Sequence, residues 1–272
     1  MTEKNKNLLW RLLSALVALP VVLFLIYLGG WASAGLFAFG AALCAFEYGR
    51  MTLKERSLPV LAVAALAGAM PLVPAWRPEL VYAAVTTTTA VVLFAASAWN
   101  LVASPLEQAS ARTAHLLTGF FYGQIGLTAL SVTRLMPDGG WWVVAALVIT
   151  WGNDTMAYFA GRFLGRHKLY PAVSPNKTWE GFAGGVVGAV GFLFVQRTFF
   201  FPQLTVLDCF VLGVGGSILG PLGDLCESAL KRAHGVKDSG RILPGHGGML
   251  DRLDALIFNA PLVLLYVQFV RP

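Results

Sequence analysis

Apolar residues gather in nine long runs, at 11–28, 31–48, 57–75, 79–99, 115–135, 141–161, 179–198, 204–224 and 253–271. A helix that crosses the bilayer core needs about 20 mostly apolar residues. Each run is therefore predicted to be a transmembrane helix. The fold class expected is all-α, a polytopic bundle of about nine spans. Spans of this length use roughly two thirds of the chain. Little remains for an extramembrane domain, so any chemistry belongs to the bundle or its short loops.

Composition removes the alternatives. Hydrophobic residues make up 57% of the 272 positions and charged residues only 12%, against about 25% charged in soluble domains. That argues against a soluble enzyme and, more strongly, against a disordered chain. Cys44, Cys209 and Cys226 show no metal-ligand spacing, which excludes a disulfide scaffold or a zinc module. Glycine and proline are plentiful but follow no Gly-X-Y period.

Charge gives the orientation. With a cytoplasmic N-terminus, one side holds Lys4, Lys6, Arg11, Arg50, Lys54, Arg56, Arg112, Arg162, Arg166, Lys168, Lys177, Lys231, Arg232, Lys237, Arg241 and Arg252. The other holds only Arg77, Arg134, Arg197 and Arg271. This asymmetry follows the positive-inside rule. Trp10, Trp31, Trp76, Trp99, Trp141, Trp142 and Trp179 lie near span ends, as interfacial anchors do. The net charge of +6 is then mostly topological. It suits an anionic leaflet and anionic substrates, and makes no case for nucleic acid. Lys4, Lys6 and Arg11 precede the first run, and Ala32-Ser33-Ala34 resembles a cleavage site. The run to Leu28 is longer than a signal peptide's apolar region, so an uncleaved first helix is expected.

The two parts of the chain differ in kind. Residues 1–140 read as five mainly structural spans, and residues 141–272 as the part carrying the polar chemistry. In the first part, Thr86 to Thr89 are expected to bond back to carbonyls one turn earlier or across to another helix. Glu47 is expected to reach the interface or to pair with Arg50. In the second part, Gly181, Gly184, Gly185, Gly188 and Gly191 line the seventh span, and Gly213, Gly216, Gly220 and Gly223 the eighth. Such small residues let helices approach closely.

Three polar elements stand out, all on the proposed cytoplasmic side. Asp154, beside Asn153, lies well inside the sixth span, and an ionisable group there is a functional candidate by default. Pro221 and Gly223 are expected to loosen the eighth helix where the acids appear. Asp224 and Glu227 stand at i, i+3, with Ser228 one turn on from Asp224, a spacing of oxygen donors that suits Mg²⁺. The loop that follows carries Lys231, Arg232, Lys237, Asp238, Arg241, His246, Gly247 and Gly248, then Asp251, Arg252 and Asp254. Glycines admit backbone N–H groups to phosphate oxygens, and the cations match a polyphosphate. The third element is Ser174-Pro175-Asn176-Lys177-Thr178-Trp179-Glu180, before the seventh helix. Asn176 or Thr178 is placed to cap that helix, whose N-terminus attracts anions. Metal and phosphates together are the parts of phosphoryl or nucleotidyl transfer.

The run from Ser228 to Asp254 resembles the signature of the phosphatidate cytidylyltransferases (CDP-diacylglycerol synthases). The matching positions are Ser228, Lys231, Arg232, Lys237, Asp238, Gly240, Leu243, Pro244, His246, Gly247, Gly248, Asp251, Arg252 and Asp254. Asn153-Asp154, the stretch from Ser174 to Gly181 and that from Gly223 to Ser228 are similar to the family's upstream motifs. In residues 1–140 the resemblance extends only to hydropathy and length. It implies conversion of CTP and phosphatidate to CDP-diacylglycerol and pyrophosphate, a divalent cation, an integral membrane location and a homodimer. The membrane expected is that of a bacterial cell.

Site roles follow as expectations. Asp224 and Asp251 are the leading ligands for Mg²⁺, with Glu227, Asp254 and Asp154 as further ligands or orienters, and a second ion is open. Lys231, Arg232, Lys237 and Arg252 are assigned to the phosphates of CTP or lipid. Lys177 and Ser174 complete the phosphate site, supported by Asn176, Glu180, Ser228, Asp238, Gly247 and Gly248. His246 is a ligand, a donor to phosphate or an orienter of its loop. An ion-coupled transporter also carries acids in broken helices, but here the acids gather at one face and no inverted repeat is seen. A CTP-dependent lipid or polyprenol kinase and an alcohol phosphotransferase remain as rivals.

Overall fold

The computed structural model describes residues 3–53, 58–240, 242 and 247–271, with side chains described from Leu16 onward. Lys54, Arg56, Arg241, Leu243, Pro244 and His246 lie outside the described residues. The chain divides into two compact units, one formed by Met1–Leu135 with Asp238–Arg252, the other by Met136–Lys237 with Leu253–Pro272.

The first unit contains α1 (Glu3–Leu28), α2 (Gly30–Leu53), α3 (Leu58–Ala69), α4 (Val73–Trp76), α5 (Val81–Trp99) and α6 (Ala109–Leu135). A tight turn at Met70–Leu72 joins α3 to α4, so Leu58–Trp76 runs as one span. Helix α2 packs on α3 and α6. Small residues set the spacing: a Cβ on Gly68 would lie 2.9 Å from that of Ala42, and one on Gly123 would lie 2.7 Å from the Ala41 carbonyl oxygen. Around these contacts Ala45, Val60, Ala67, Leu116 and Phe120 form the core. In lipid, such helices associate through close packing and hydrogen bonds rather than exclusion of water.

Polar groups tie the connections of this unit. Arg112, 5% exposed, donates to Asn100 Oδ1 at 2.9 Å and to the carbonyls of Ala103 and Pro105, both at 3.1 Å. Arg134 reaches the carbonyls of Ile26 and Tyr27 at the end of α1. Gly29 and Gly30 turn the chain there with φ of +66° and +51°, in the left-handed region that glycine tolerates. Thr86 and Thr89 donate to Tyr82 and Val85 carbonyls, the back-bonding expected of them.

The second unit contains α7 (Gly139–Leu164), the antiparallel strands β1 (Lys168–Tyr170) and β2 (Ser174–Thr178), α8 (Trp179–Phe199), α9 (Val206–Ala233) and α10 (Leu250–Val270), the last counted here from Leu253. Helix α8 lies on α7 through four glycines. A Cβ on Gly181 would meet the Ala157 carbonyl and one on Gly185 the Asn153 side chain, while on Gly184 or Gly188 it would collide with α7. Gly191 meets nothing within 4 Å, so it does not share in this packing. Helix α9 starts at a capping box, in which Thr205 accepts from Asp208 N and Asp208 accepts from Thr205 N. Tyr266 of α10 donates to the other oxygen of Asp208 at 2.6 Å.

Eight helical segments are long and apolar enough to cross a membrane, and α1 carries a shorter apolar run, Leu16–Leu28, among its described residues. The chain is thus an all-α polytopic bundle, with span positions close to those predicted. One expectation fails. Helix α9 is not interrupted at Pro221 but continues as 28 helical residues to Ala233. Proline removes a single backbone donor there. Contacts on either side hold the helix, with Gly220 against Asn259 and Gly223 against Asp254 and Phe258. The acids therefore lie within a helix rather than at its broken end.

Candidate active site

A cleft of about 670 Å³ opens in the second unit. Its walls are the C-terminal half of α7, the β1–β2 hairpin, the start of α8 and one turn of α9. The polar side chains facing it include Asn153, Asp154, Arg162, Lys168, Asn176, Lys177 and Asp224. Three of the sequence elements thus reach one place: Asp154 from α7, Asn176 and Lys177 from β2, and Asp224 from α9.

The hairpin places Lys177. Strand β2 pairs with β1 in the register Lys168↔Thr178 and Tyr170↔Ser174. Thr178 then ends the strand as the N-cap of α8, its hydroxyl accepting from Gly181 N at 3.1 Å. Of the two predicted caps, the cap is Thr178. Glu180 fastens the preceding turn: its carboxylate accepts from Arg166 N and His167 N and meets His167 Nδ1 at 2.6 Å. That is a supporting position, one residue into the helix, where a carboxylate is also favoured by the helix dipole.

Lys177 Nζ lies 2.8 Å from Asp224 Oδ2 and 3.3 Å from the Pro221 carbonyl oxygen. Ser228 donates to Asp224 Oδ1 at 3.1 Å. Gly223 brings this turn of α9 against α10, since a Cβ there would lie 2.5 Å from the Asp254 carbonyl oxygen. Asp224 and Glu227 stand at i, i+3 on α9, and each is held by a residue one turn on. Asp224 joins Ser228, and Glu227, fully buried, joins Lys231 at 2.6 Å. Lys231 is buried with it and does not line the cleft, whereas Arg232 is exposed and donates to the Val236 carbonyl. Lys237 is exposed and Ser174 is half-buried.

The signature loop is described in the first unit. There Asp251 Oδ2 accepts from Ser239 N at 3.0 Å and Gly248 N at 2.8 Å, and lies 3.0 Å from Ser239 Oγ. Gly247 has φ of +83°, and a Cβ on it would lie 2.9 Å from Asp251 Oδ2. Asp238 and Arg252 are exposed. Asp251 and Asp254 stand on α10 at i, i+3, as expected.

Arg162 and Lys168, basic residues that topology alone accounts for in the sequence, also line the cleft. A basic residue shortly after a span satisfies the positive-inside rule whatever else it does, so its count carries no sign of a site. A third, Glu47, contacts the signature loop from α2.

Among the described residues no three His, Cys, Asp or Glu side chains group tightly enough to hold a metal by themselves. The cleft offers two carboxylates, Asp154 and Asp224. That donor set fits Mg²⁺, which is commonly bound by one or two carboxylates together with substrate phosphates and water.

Residues 9–270 match the model of the cytidylyltransferase family. The chain is 36% identical over 262 residues to a phosphatidate cytidylyltransferase of Staphylococcus haemolyticus, covering 95% of this chain and 98% of that protein. A Staphylococcus epidermidis protein of the same name is 36% identical over 261 residues, with the same coverage. One from Bacillus subtilis is 41% identical over 145 residues, covering 53% of this chain and 54% of that one. The first two matches extend through residues 1–140, where no motif announced them.

Proposed function

The chain belongs to the cytidylyltransferase family, and we propose that it makes CDP-diacylglycerol and pyrophosphate from CTP and phosphatidate. A phosphate oxygen of the lipid forms a new bond to the α-phosphorus of CTP. The bond from that phosphorus to the oxygen bridging the β-phosphorus breaks, and pyrophosphate leaves with the electron pair. A phosphate monoester is already anionic near neutral pH, so no strong general base is required. The task left to the protein is to hold two mutually repelling anions in line.

The observation that carries this reading is the pairing of Lys177 with Asp224 in a cleft also faced by Asp154, Asn176, Arg162 and Lys168. Lys177, Arg162 and Lys168 supply positive charge for phosphate oxygens. Ser228 and Lys177 fix the carboxylate of Asp224. Asp224 and Asp154 would hold Mg²⁺ together with phosphate oxygens, and Asp251, Glu227 and Asp254 are proposed as further ligands or orienters of one or two ions. Such an ion would supply neutralisation of the charge on the cytidylyl group in transfer. Arg232, Lys237 and Arg252 are assigned to phosphates, as is Lys231 once freed from Glu227.

Lipid access accords with the cleft's surroundings. Tyr158 and Phe182 line it, and Phe159 and Phe163 stack on the exposed face of the same α7 end. The count of cations supports a cytoplasmic N-terminus and a cleft on the cytoplasmic side, where CTP is supplied. The homodimer implied by the family resemblance is retained in the proposal, and cross-linking in the membrane tests it.

The deciding assay uses purified protein in detergent with labelled CTP, phosphatidate and Mg²⁺. CDP-diacylglycerol and pyrophosphate are expected in equal amounts, and chelation of the metal is expected to stop both. No product from a folded sample refutes the reaction. Release of CDP in place of pyrophosphate would mark a lipid kinase instead.

A further inference from the structure

Glu47 sits near the end of α2, only 2% exposed. A buried carboxylate is costly unless donors meet it. Its donors come from the far end of the sequence. Glu47 Oε2 accepts from Ser239 Oγ at 3.0 Å and from Leu250 N at 2.9 Å. Leu250 opens α10, and its amide is one of the helix-end donors that no helical carbonyl can satisfy. Glu47 therefore satisfies the Leu250 amide from another helix of the same unit.

Ser239 makes the second link. The same hydroxyl oxygen lies 3.0 Å from Asp251 Oδ2, which Ser239 N and Gly248 N also reach. Ser239 thus meets both carboxylates, with its hydroxyl proton on Glu47 and its N–H on Asp251. Side chains are excluded around it, because a Cβ on Gly240 or Gly248 would collide with the Glu47 carboxylate. Gly240 and Gly248 lie directly against Glu47, while Arg50, its expected partner, lies over the Phe46 ring.

We propose that Glu47 is a positioning residue for the reaction: it holds Ser239 and Leu250 in place and, through Ser239, sets the orientation of the Asp251 carboxylate. The role given to Asp251 rests on the proposed function, but the anchoring itself does not. Outer-shell partners of this kind are typically worth about 10- to 100-fold in activity.

The test combines amide hydrogen exchange with steady-state kinetics on the full-length protein in detergent. Glu47→Asp withdraws the acceptor by one methylene, and Ser239→Ala removes the bridge without touching the bundle. Both are expected to speed exchange across 238–252 about tenfold or more, leave 153–182 unchanged, and lower kcat about 10- to 100-fold with the KM for phosphatidate unchanged. Glu47→Gln keeps an acceptor oxygen and places its amide at the Oε1 position, which has no partner among the described residues. It should lose less than Glu47→Asp in both readouts. Wild-type exchange across 238–252 in Ser239→Ala, or a kcat within twofold of wild type, overturns the proposal. Should Glu47→Asp fail to fold, Ser239→Ala decides alone. If wild-type protein makes no CDP-diacylglycerol, the reaction is wrong, and the exchange data still judge the anchoring.

Discussion

Lys177 Nζ and Asp224 Oδ2 lie 2.8 Å apart, joining the strand before α8 to the middle of α9 across 46 intervening residues of chain. The pair places a phosphate-binding cation and a metal-binding carboxylate side by side. Neither group is deeply buried, with side-chain exposures of 23% and 37%. Substrate can therefore separate them, at the modest cost of an exposed ion pair, about 0–1 kcal/mol.

Asp224→Asn and Asp251→Asn are each expected to abolish turnover while leaving expression and thermal midpoint close to wild type. Lys177→Met should raise the KM for CTP and lower kcat/KM about 100-fold, roughly 2.7 kcal/mol of transition-state stabilisation. Initial-rate assays across CTP concentrations check all three. Near-normal activity of either asparagine variant rules out that residue as a metal ligand.

Glu227 and Lys231 form a buried pair, so removing one partner takes away the charge closest to the other. Glu227→Ala should destabilise the protein by about 3–5 kcal/mol. The double variant Glu227→Gln with Lys231→Met should recover much of that loss in a detergent melt. Equal stability of the single and double variants would contradict this account.

Two glycines on α8 give a paired test of the helix contact. Gly188→Ala would collide with Gly152 and Met156 of α7, at a cost of about 1–3 kcal/mol. Gly191→Ala enters open space and should gain about 0.5–1 kcal/mol from helix propensity. Thermal midpoints measured in the same detergent should move in opposite directions.

Arg112→Ala leaves Asn100 Oδ1 and two carbonyls without their donor, and should cost about 3 kcal/mol. Because Arg112 serves the connection before α6, the KM for CTP should stay unchanged in the folded fraction. A shift in KM without loss of stability would reassign Arg112 to substrate binding.

The bundle itself was legible because a membrane span is a long, local signal. Every predicted span overlaps a helix, including α9, although proline and glycine suggested an interruption that packing on α10 removes. The cleft was partly legible: Asp154 and Asp224 are acids within apolar runs, and Asn176 and Lys177 belong to a polar stretch immediately before one. Arg162 and Lys168 were hidden because topology alone accounts for a basic residue after a span. Glu47 was hidden for another reason. The pattern within α2 offers only Arg50 as a neighbour, and nothing local points to Ser239 or Leu250.

The Glu47 anchor also bears on how the protein is made. Ser239 and Leu250 follow Glu47 by 192 and 203 residues. At a synthesis rate of about 5–20 residues per second, they emerge about 10–40 s later. Over that interval α2 has been delivered to the bilayer with an acidic end whose permanent donors do not yet exist. That end has to wait in water or against the insertion machinery, and α2 gains these donors only after Leu250 has left the ribosome.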